Sequence, residues 1–264
     1  MKVVISAIKI LVVGYILLCL LLYFVQEKLI FFPEKLAANY QFSFSNRFES
    51  INIKTKDNAV LNGLLFKADS AKGLIFYLHG NAGSLASWGE IANTYTSLGY
   101  DLFMLDYRGY GKSSGSINNQ QQFFDDVQLA YDSLKLRYKE DKIIVLGYSI
   151  GTGAATWLAS ANKPSLLILQ APYFSLTDMM NHRFYILPSF ILKYKFPTNK
   201  YLPLCTMPVV IFHGDKDEVI YYGSSLKLKT LLKPSDSFIT LKEQGHNGIT
   251  ENLQYLAALK NILK

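Results

Sequence analysis

The chain is poor in cysteine: Cys19 and Cys205 are the only two among 264 residues. Cys19 falls in an apolar N-terminal run and Cys205 far downstream. A disulfide between them is not expected, and redox compartment cannot be inferred. Histidine is also scarce, four in all, which shortens any search for a general base. No N-x-S/T sequon occurs, so no N-glycosylation is expected. From Met179 to Gly214 there is no Asp or Glu. Internal repeats and low-complexity segments are missing too, which excludes a solenoid and gives no sign of a disordered tail.

What is present suits a folded domain. The length allows one sizeable α/β domain or two small ones. Half of the residues are hydrophobic, and 17 Phe and 18 Tyr can fill a core. The formal charge is +7, of which residues 1–28 carry +2 and the remainder +5. The basic residues are scattered and no nucleic-acid motif is visible, so no nucleic-acid partner is expected. Beside a membrane anchor, an anionic lipid surface is the better partner.

Val3 to Val25 contain a single charge, Lys9. As a helix this stretch reaches roughly 34 Å, enough for a hydrocarbon layer about 30 Å thick. Lys9 lies near one end and can snorkel toward the headgroups. A cleaved signal peptide would need a small-x-small site, whereas Tyr23-Phe24-Val25-Gln26-Glu27-Lys28 follows the run. An uncleaved signal anchor over residues 1–30 is therefore expected, with residues 31–264 as the globular part. Positive charge precedes the run, while Glu27, Lys28, Glu34 and Lys35 cancel after it. The positive-inside rule then predicts a single-pass membrane protein with its globular domain on the non-cytoplasmic side.

Residues 48–55 and 60–67 alternate polar and apolar around Asp57-Asn58, a hairpin pattern. Strands are then predicted at 74–78, 100–105, 142–146, 166–169, 208–212 and 238–241. Between them, helical patterns run over 88–98, 120–138 and 224–232, and 249–263 closes the chain. Such alternation predicts an α/β fold, a mostly parallel eight-stranded sheet with helices on both faces. Reactive groups gather beyond the carboxyl ends of the strands in such sheets. The stretch about 175–205 breaks the alternation. It is aromatic, basic and punctuated by Pro188, Pro197 and Pro203, and reads as a small cap insertion, with a long solvated connection as the alternative.

The densest signal is Gly147-Tyr148-Ser149-Ile150-Gly151 between a predicted strand and a helix rich in small residues. Strand, G-x-S-x-G and helix make a nucleophile elbow, with Ser149 Oγ above the sheet. A serine hydroxyl needs a base, and the base needs an orienting group. Of the four histidines, His246 lies on the loop after the last strand and before the final helix, within reach of the elbow. The acid is sought after a strand between Ser149 and His246. Asp215, Asp217 and Asp178 all qualify, and spacing alone leaves the choice open. Oxyanion donors are expected from the Ile150 N–H, next to the nucleophile, and from the loop His79-Gly80-Asn81-Ala82-Gly83-Ser84. There the Asn81 N–H is the first choice and Ala82 the second.

Together with His79–Gly83, Asp106–Gly115, His213–Asp217 and Gly245-His246, this elbow resembles membrane-anchored serine hydrolases of the α/β-hydrolase superfamily. The motifs span essentially the whole globular part. The resemblance selects Asp217 over Asp215, assigns Ser149 and His246 as catalytic, and makes Asp106 and Arg108 loop-building residues. It implies esterase or thioesterase activity on a small-molecule or lipid-like acyl substrate, with no cofactor and no metal. Two competing functions are an aminopeptidase or amidase of the same fold and a catalytically silent membrane scaffold. Met179–Gly214 offers no acidic anchor of the kind a free amine calls for, which disfavours the aminopeptidase. An intact serine, aspartate and histidine disfavour the scaffold.

Overall fold

A computed structural model describes all 264 residues. Eight strands form the main sheet: β1 (Phe48–Lys54), β2 (Val60–Phe66), β3 (Leu74–Leu78), β4 (Asp101–Leu105), β5 (Ile143–Tyr148), β6 (Leu166–Gln170), β7 (Val209–Gly214) and β8 (Ser237–Leu241). Their spatial order is β1-β2-β4-β3-β5-β6-β7-β8. The β1–β2 and β2–β4 pairs are antiparallel, and every later pair is parallel.

β3 shows why the centre must be covered on both sides. All five of its residues are buried. Leu74, Phe76 and Leu78 enter one apolar cluster, while Ile75 and Tyr77 enter the other. This is the two-sided burial expected of a central parallel strand. Phe124 from the helix Gln120–Lys135, and Ala154 and Leu158 from the helix Gly151–Ala161, belong to the first cluster. Tyr255 and Leu259 from the helix Leu253–Ile262 belong to the second. Each fully buried Leu or Phe contributes roughly 1.5–3 kcal/mol, so these two clusters supply the main drive to fold.

One predicted element is divided. The helical pattern over 88–98 becomes three short pieces, Leu85–Trp88, Gly89–Ile91 and Ala92–Thr96. Ser84 caps the first by accepting the Ala86 N–H at 3.3 Å. The ring of Phe44 then lies where a Cβ on Gly89 would stand, 2.4 Å from its nearest atom. The final helical pattern is likewise split, into Ile249–Glu251 and Leu253–Ile262, with Asn252 capping the second piece.

The N-terminal helix runs from Lys2 to Ile30 and is long and apolar enough to cross a membrane. It is not a loose tether. Gln26 donates to the Ile191 carbonyl at 3.1 Å and accepts the Lys193 N–H at 2.8 Å. Lys193 Nζ stands 3.1 Å from Glu27. Beyond the helix, Phe32–Pro33 pairs in parallel with Ala82–Gly83. Its exit is thereby stitched to the loop after β3.

Candidate active site

Between β6 and β7 the chain leaves the sheet and forms the helix Leu176–Arg183, a 3-10 turn at Ser189–Ile191 and the helix Thr198–Tyr201. This insertion packs against the segment after β7, where Asp178 meets Tyr221, Ser224 and Lys227, and against the helix after β5, where Phe196 lies beside Gly153.

Ser149 follows directly on β5 and has φ +52°, the left-handed region that costs a non-glycine residue energy. The turn is forced by close packing. A Cβ on Gly151 would lie 2.2 Å from the Leu78 carbonyl oxygen, and one on Gly147 would lie 2.7 Å from Ala155 Cβ. Ser149 N–H donates to the Gln170 carbonyl at 2.9 Å. Its own carbonyl accepts the Thr152 hydroxyl at 2.6 Å.

The side chain of Ser149 meets His246. Oγ lies 3.0 Å from Nε2, and Nδ1 of the same ring lies 2.8 Å from Asp217 Oδ2. The carboxylate can only accept, which dictates the tautomer when the imidazole is neutral: Nδ1 donates to Asp217, leaving Nε2 free to accept from the serine. All three side chains are buried. The His246 loop is itself held. Its carbonyl accepts the Tyr148 hydroxyl at 2.5 Å, and its N–H donates to Glu218 at 3.1 Å.

Asp217 is the most heavily bonded member. Oδ1 accepts the Val219 and Ile220 N–H groups at 2.9 and 2.8 Å. Oδ2 also lies 3.1 Å from Nε2 of His213, a fully buried residue near the end of β7. Burial opposes the charge of Asp217, yet hydrogen bonds from His213 and His246 outweigh it and hold the carboxyl well below the usual carboxylate range. In the sequence His213 opens the His213–Asp217 motif at a strand end, with no contact to the acid implied. Its part in the site depends on a loop that folds Asp217 back four residues later.

The other candidate acids point elsewhere. Asp215 accepts the Glu243 N–H at 2.8 Å and stands 3.4 Å from Lys242 Nζ. Asp178 is occupied by the Tyr221 and Ser224 hydroxyls and by Lys227. Asp106 receives the Leu85 N–H at 3.0 Å, and Arg108 joins Asp57 to Asp126. Both therefore build loops. His79 is fully buried and lies 2.7 Å through Nδ1 from the Gly80 carbonyl. His182 stacks on Tyr221 in the cap.

Asn81 is fixed from two directions. Its Oδ1 accepts the Phe32 N–H at 3.3 Å and the Tyr110 hydroxyl at 3.1 Å, and its carbonyl accepts that hydroxyl at 2.7 Å. Ile150 opens the turn whose next residue, Gly151, lies against the Leu78 and His79 carbonyls. The elbow and the Asn81 loop are therefore neighbours.

Comparison with known proteins gives this architecture a family. Residues 69–203 match the serine aminopeptidase, S33 family. The chain belongs to that family, within the α/β-hydrolases. It is 32% identical over 200 residues to the α/β hydrolase domain-containing protein 17B of Xenopus laevis, covering 74% of this chain and 67% of the relative. The human protein of the same name is 30% identical over 215 residues, covering 79% and 72%. Among solved structures, an esterase of Pyrococcus furiosus superposes with TM-score 0.70 at 19% identity, over 89% of this chain and 97% of the esterase. That likeness establishes the α/β-hydrolase fold. The family match includes Ser149 and Asn81 but ends before Asp217 and His246, which only the folded geometry brings to the serine.

Proposed function

We propose that this hydrolase cleaves carboxylic esters or acyl thioesters, with Ser149 as nucleophile, His246 as general base and acid, and Asp217 as the orienting carboxylate. The hydrogen-bonded chain from Ser149 through His246 to Asp217, starting on a serine at φ +52°, carries this reading. Ser149 Oγ bonds to the acyl carbon while its proton passes to His246 Nε2. The developing oxyanion is met by the N–H groups of Asn81 and Ile150. A preorganised donor of this kind is worth on the order of 3 kcal/mol in the transition state. Collapse breaks the bond to the alcohol or thiol, which leaves with the proton from His246. Water then attacks the acyl-enzyme, gives a proton to His246, and Ser149 is regenerated. Asp217 keeps the imidazole in the required tautomer and stabilises its cation throughout.

Residues 1–30 serve in this reading as a single-pass anchor, with the globular part on the non-cytoplasmic side and the cap over the site. An aminopeptidase remains the second reading, named by the family. The acids in and beside the cap do not favour it, because Asp178 on the cap helix is occupied by Lys227 and Glu218 accepts the His246 N–H. Assay of full-length protein on matched p-nitrophenyl esters, acyl thioesters and aminoacyl p-nitroanilides tests the choice. Ester and thioester turnover abolished in Ser149→Ala is the expected result. Turnover confined to the aminoacyl anilides overturns it.

A further inference from the structure

An apolar groove of about 1060 Å³ lies between the N-terminal helix and the cap. Sixteen of its twenty lining residues are hydrophobic, so a polar ligand would find few partners there. One wall is the N-terminal helix, through Leu18, Leu22 and Leu29; the other is the cap, through Met179, Met180 and Leu187.

Both walls end at active-site loops. Glu218 and Val219 line the groove immediately after Asp217, and Val219 N–H donates to that carboxylate. On the opposite wall Ile30 lies two residues before Phe32, which pairs with Ala82 and donates to Asn81 Oδ1. The lining of the groove thus comes to within one residue of Asp217 on one side and within two residues of the strand paired with Ala82 on the other.

Its other end runs along the membrane helix. The Tyr15 hydroxyl donates to the Ile186 carbonyl at 2.7 Å, whereas Gln26 holds Ile191 and Lys193. These contacts are made eleven positions apart on the helix, about 16 Å along the axis. With Val3–Val25 spanning a membrane, the tip of the cap lies within the leaflet. Its composition fits that place. Residues 184–192 carry no charge, and Tyr185 and Phe190 are 84% and 80% exposed. Arg183 and Lys193 bracket the tip, and Lys193 pairs with Glu27 near the helix end, where an interface would lie. The tip also satisfies its own backbone in part, with Leu187 N–H donating to Phe184 and Leu192 N–H to Ser189.

Resting on the hydrolase reading above, we propose that this groove receives the long acyl chain of a membrane-resident ester or thioester sideways from the leaflet, with the N-terminal helix as one wall of the acyl site. A chain entering this way never crosses water. The scissile carbonyl would reach Ser149 at the interface while the leaving group stays outside.

The test uses full-length protein in phosphatidylglycerol–phosphatidylcholine vesicles with p-nitrophenyl palmitate and p-nitrophenyl butyrate. Leu18→Trp and Met180→Trp fill the groove. Phe190→Asp puts a carboxylate on an exposed tip position without disturbing the core. Each is expected to lower the palmitate-to-butyrate ratio of kcat/KM at least tenfold, with fluorophosphonate labelling of Ser149 showing that the site is folded. An unchanged ratio in all three, with both esters turned over, overturns the groove and leaves the hydrolase reading intact. A wild-type protein that neither labels nor hydrolyses either ester overturns both.

Discussion

His213 and His246 share one oxygen of Asp217: Nε2 of the first stands 3.1 Å and Nδ1 of the second 2.8 Å from Oδ2. His213 Nε2 also lies 3.0 Å from the Ile220 carbonyl, so with two acceptors in reach that nitrogen carries the hydrogen. In the proposed mechanism His213 positions Asp217 without touching the substrate. A hydrogen bond to a charged group is worth about 1.5–3 kcal/mol, so His213→Phe is expected to lower kcat tenfold or more. His213→Gln, which keeps a donor, should recover part of the loss. Steady-state kinetics on the two variants checks this, and equal rates for wild type and His213→Phe would rule out a positioning role.

The same contacts set an acid limit on stability. The carboxyl of Asp217 titrates lower in the folded protein than in the unfolded chain. Its contribution is therefore complete above about pH 4, the ordinary carboxylate value, and is lost as pH falls further. His213→Phe should move acid unfolding to higher pH, measured by circular dichroism from pH 6 to pH 2.

Asp106 behaves in the opposite sense. Burial pushes its carboxyl up to about 7. The folded protein thus holds this proton more tightly than the unfolded chain does. Stability is full below about pH 4 and declines as pH rises to 7, by up to about 4 kcal/mol for this one group. Asp106→Asn should flatten that part of the profile in urea unfolding at pH 4.5 and pH 7.

Asp215 and Asp217 stand two residues apart with different partners. Asp217→Asn should lower kcat by about 10⁴-fold, because the amide no longer enforces the imidazole tautomer. Asp215→Asn keeps an oxygen able to accept the Glu243 N–H and removes only the ion pair with Lys242, and should stay within about twofold. Equal losses would show that the two aspartates do not divide the work in this way.

Gly151→Ala tests the elbow by packing. The new Cβ would meet the Leu78 carbonyl at 2.2 Å, a backbone atom that cannot rotate away. Overpacking of this kind costs typically 1–3 kcal/mol, so a lower urea midpoint and weaker labelling of Ser149 are expected together. An unchanged midpoint would mean that the turn is looser than described.

Much of the fold and of the site is legible in the sequence. The alternating strands and helices follow from short β-branched runs and amphipathic spacing, and Ser149 and His246 stand at predictable ends of them. Asp217 is harder to pick out, because Asp215 offers the same residue type in the same loop. Spacing leaves them open and the motif resemblance points to Asp217; in the fold, His246 lies against Asp217 while Asp215 turns to Glu243 and Lys242. The break at Gly89 has no local signal, because Phe44, which fills the space, lies far away in sequence. Gln26 and Glu27 look like the polar end of an anchor. Their contacts with Ile191, Lys193 and Tyr194 span about 165 residues, a separation no local pattern encodes.

The central claim is that Ser149 forms the acyl-enzyme. The most direct measurement is intact-mass and peptide mapping after fluorophosphonate treatment, on wild type and on Ser149→Ala. One adduct is expected, on the peptide containing Ser149, with parallel loss of ester hydrolysis and neither adduct nor hydrolysis in the variant. An adduct on another residue, or hydrolysis that survives Ser149→Ala, would contradict the claim.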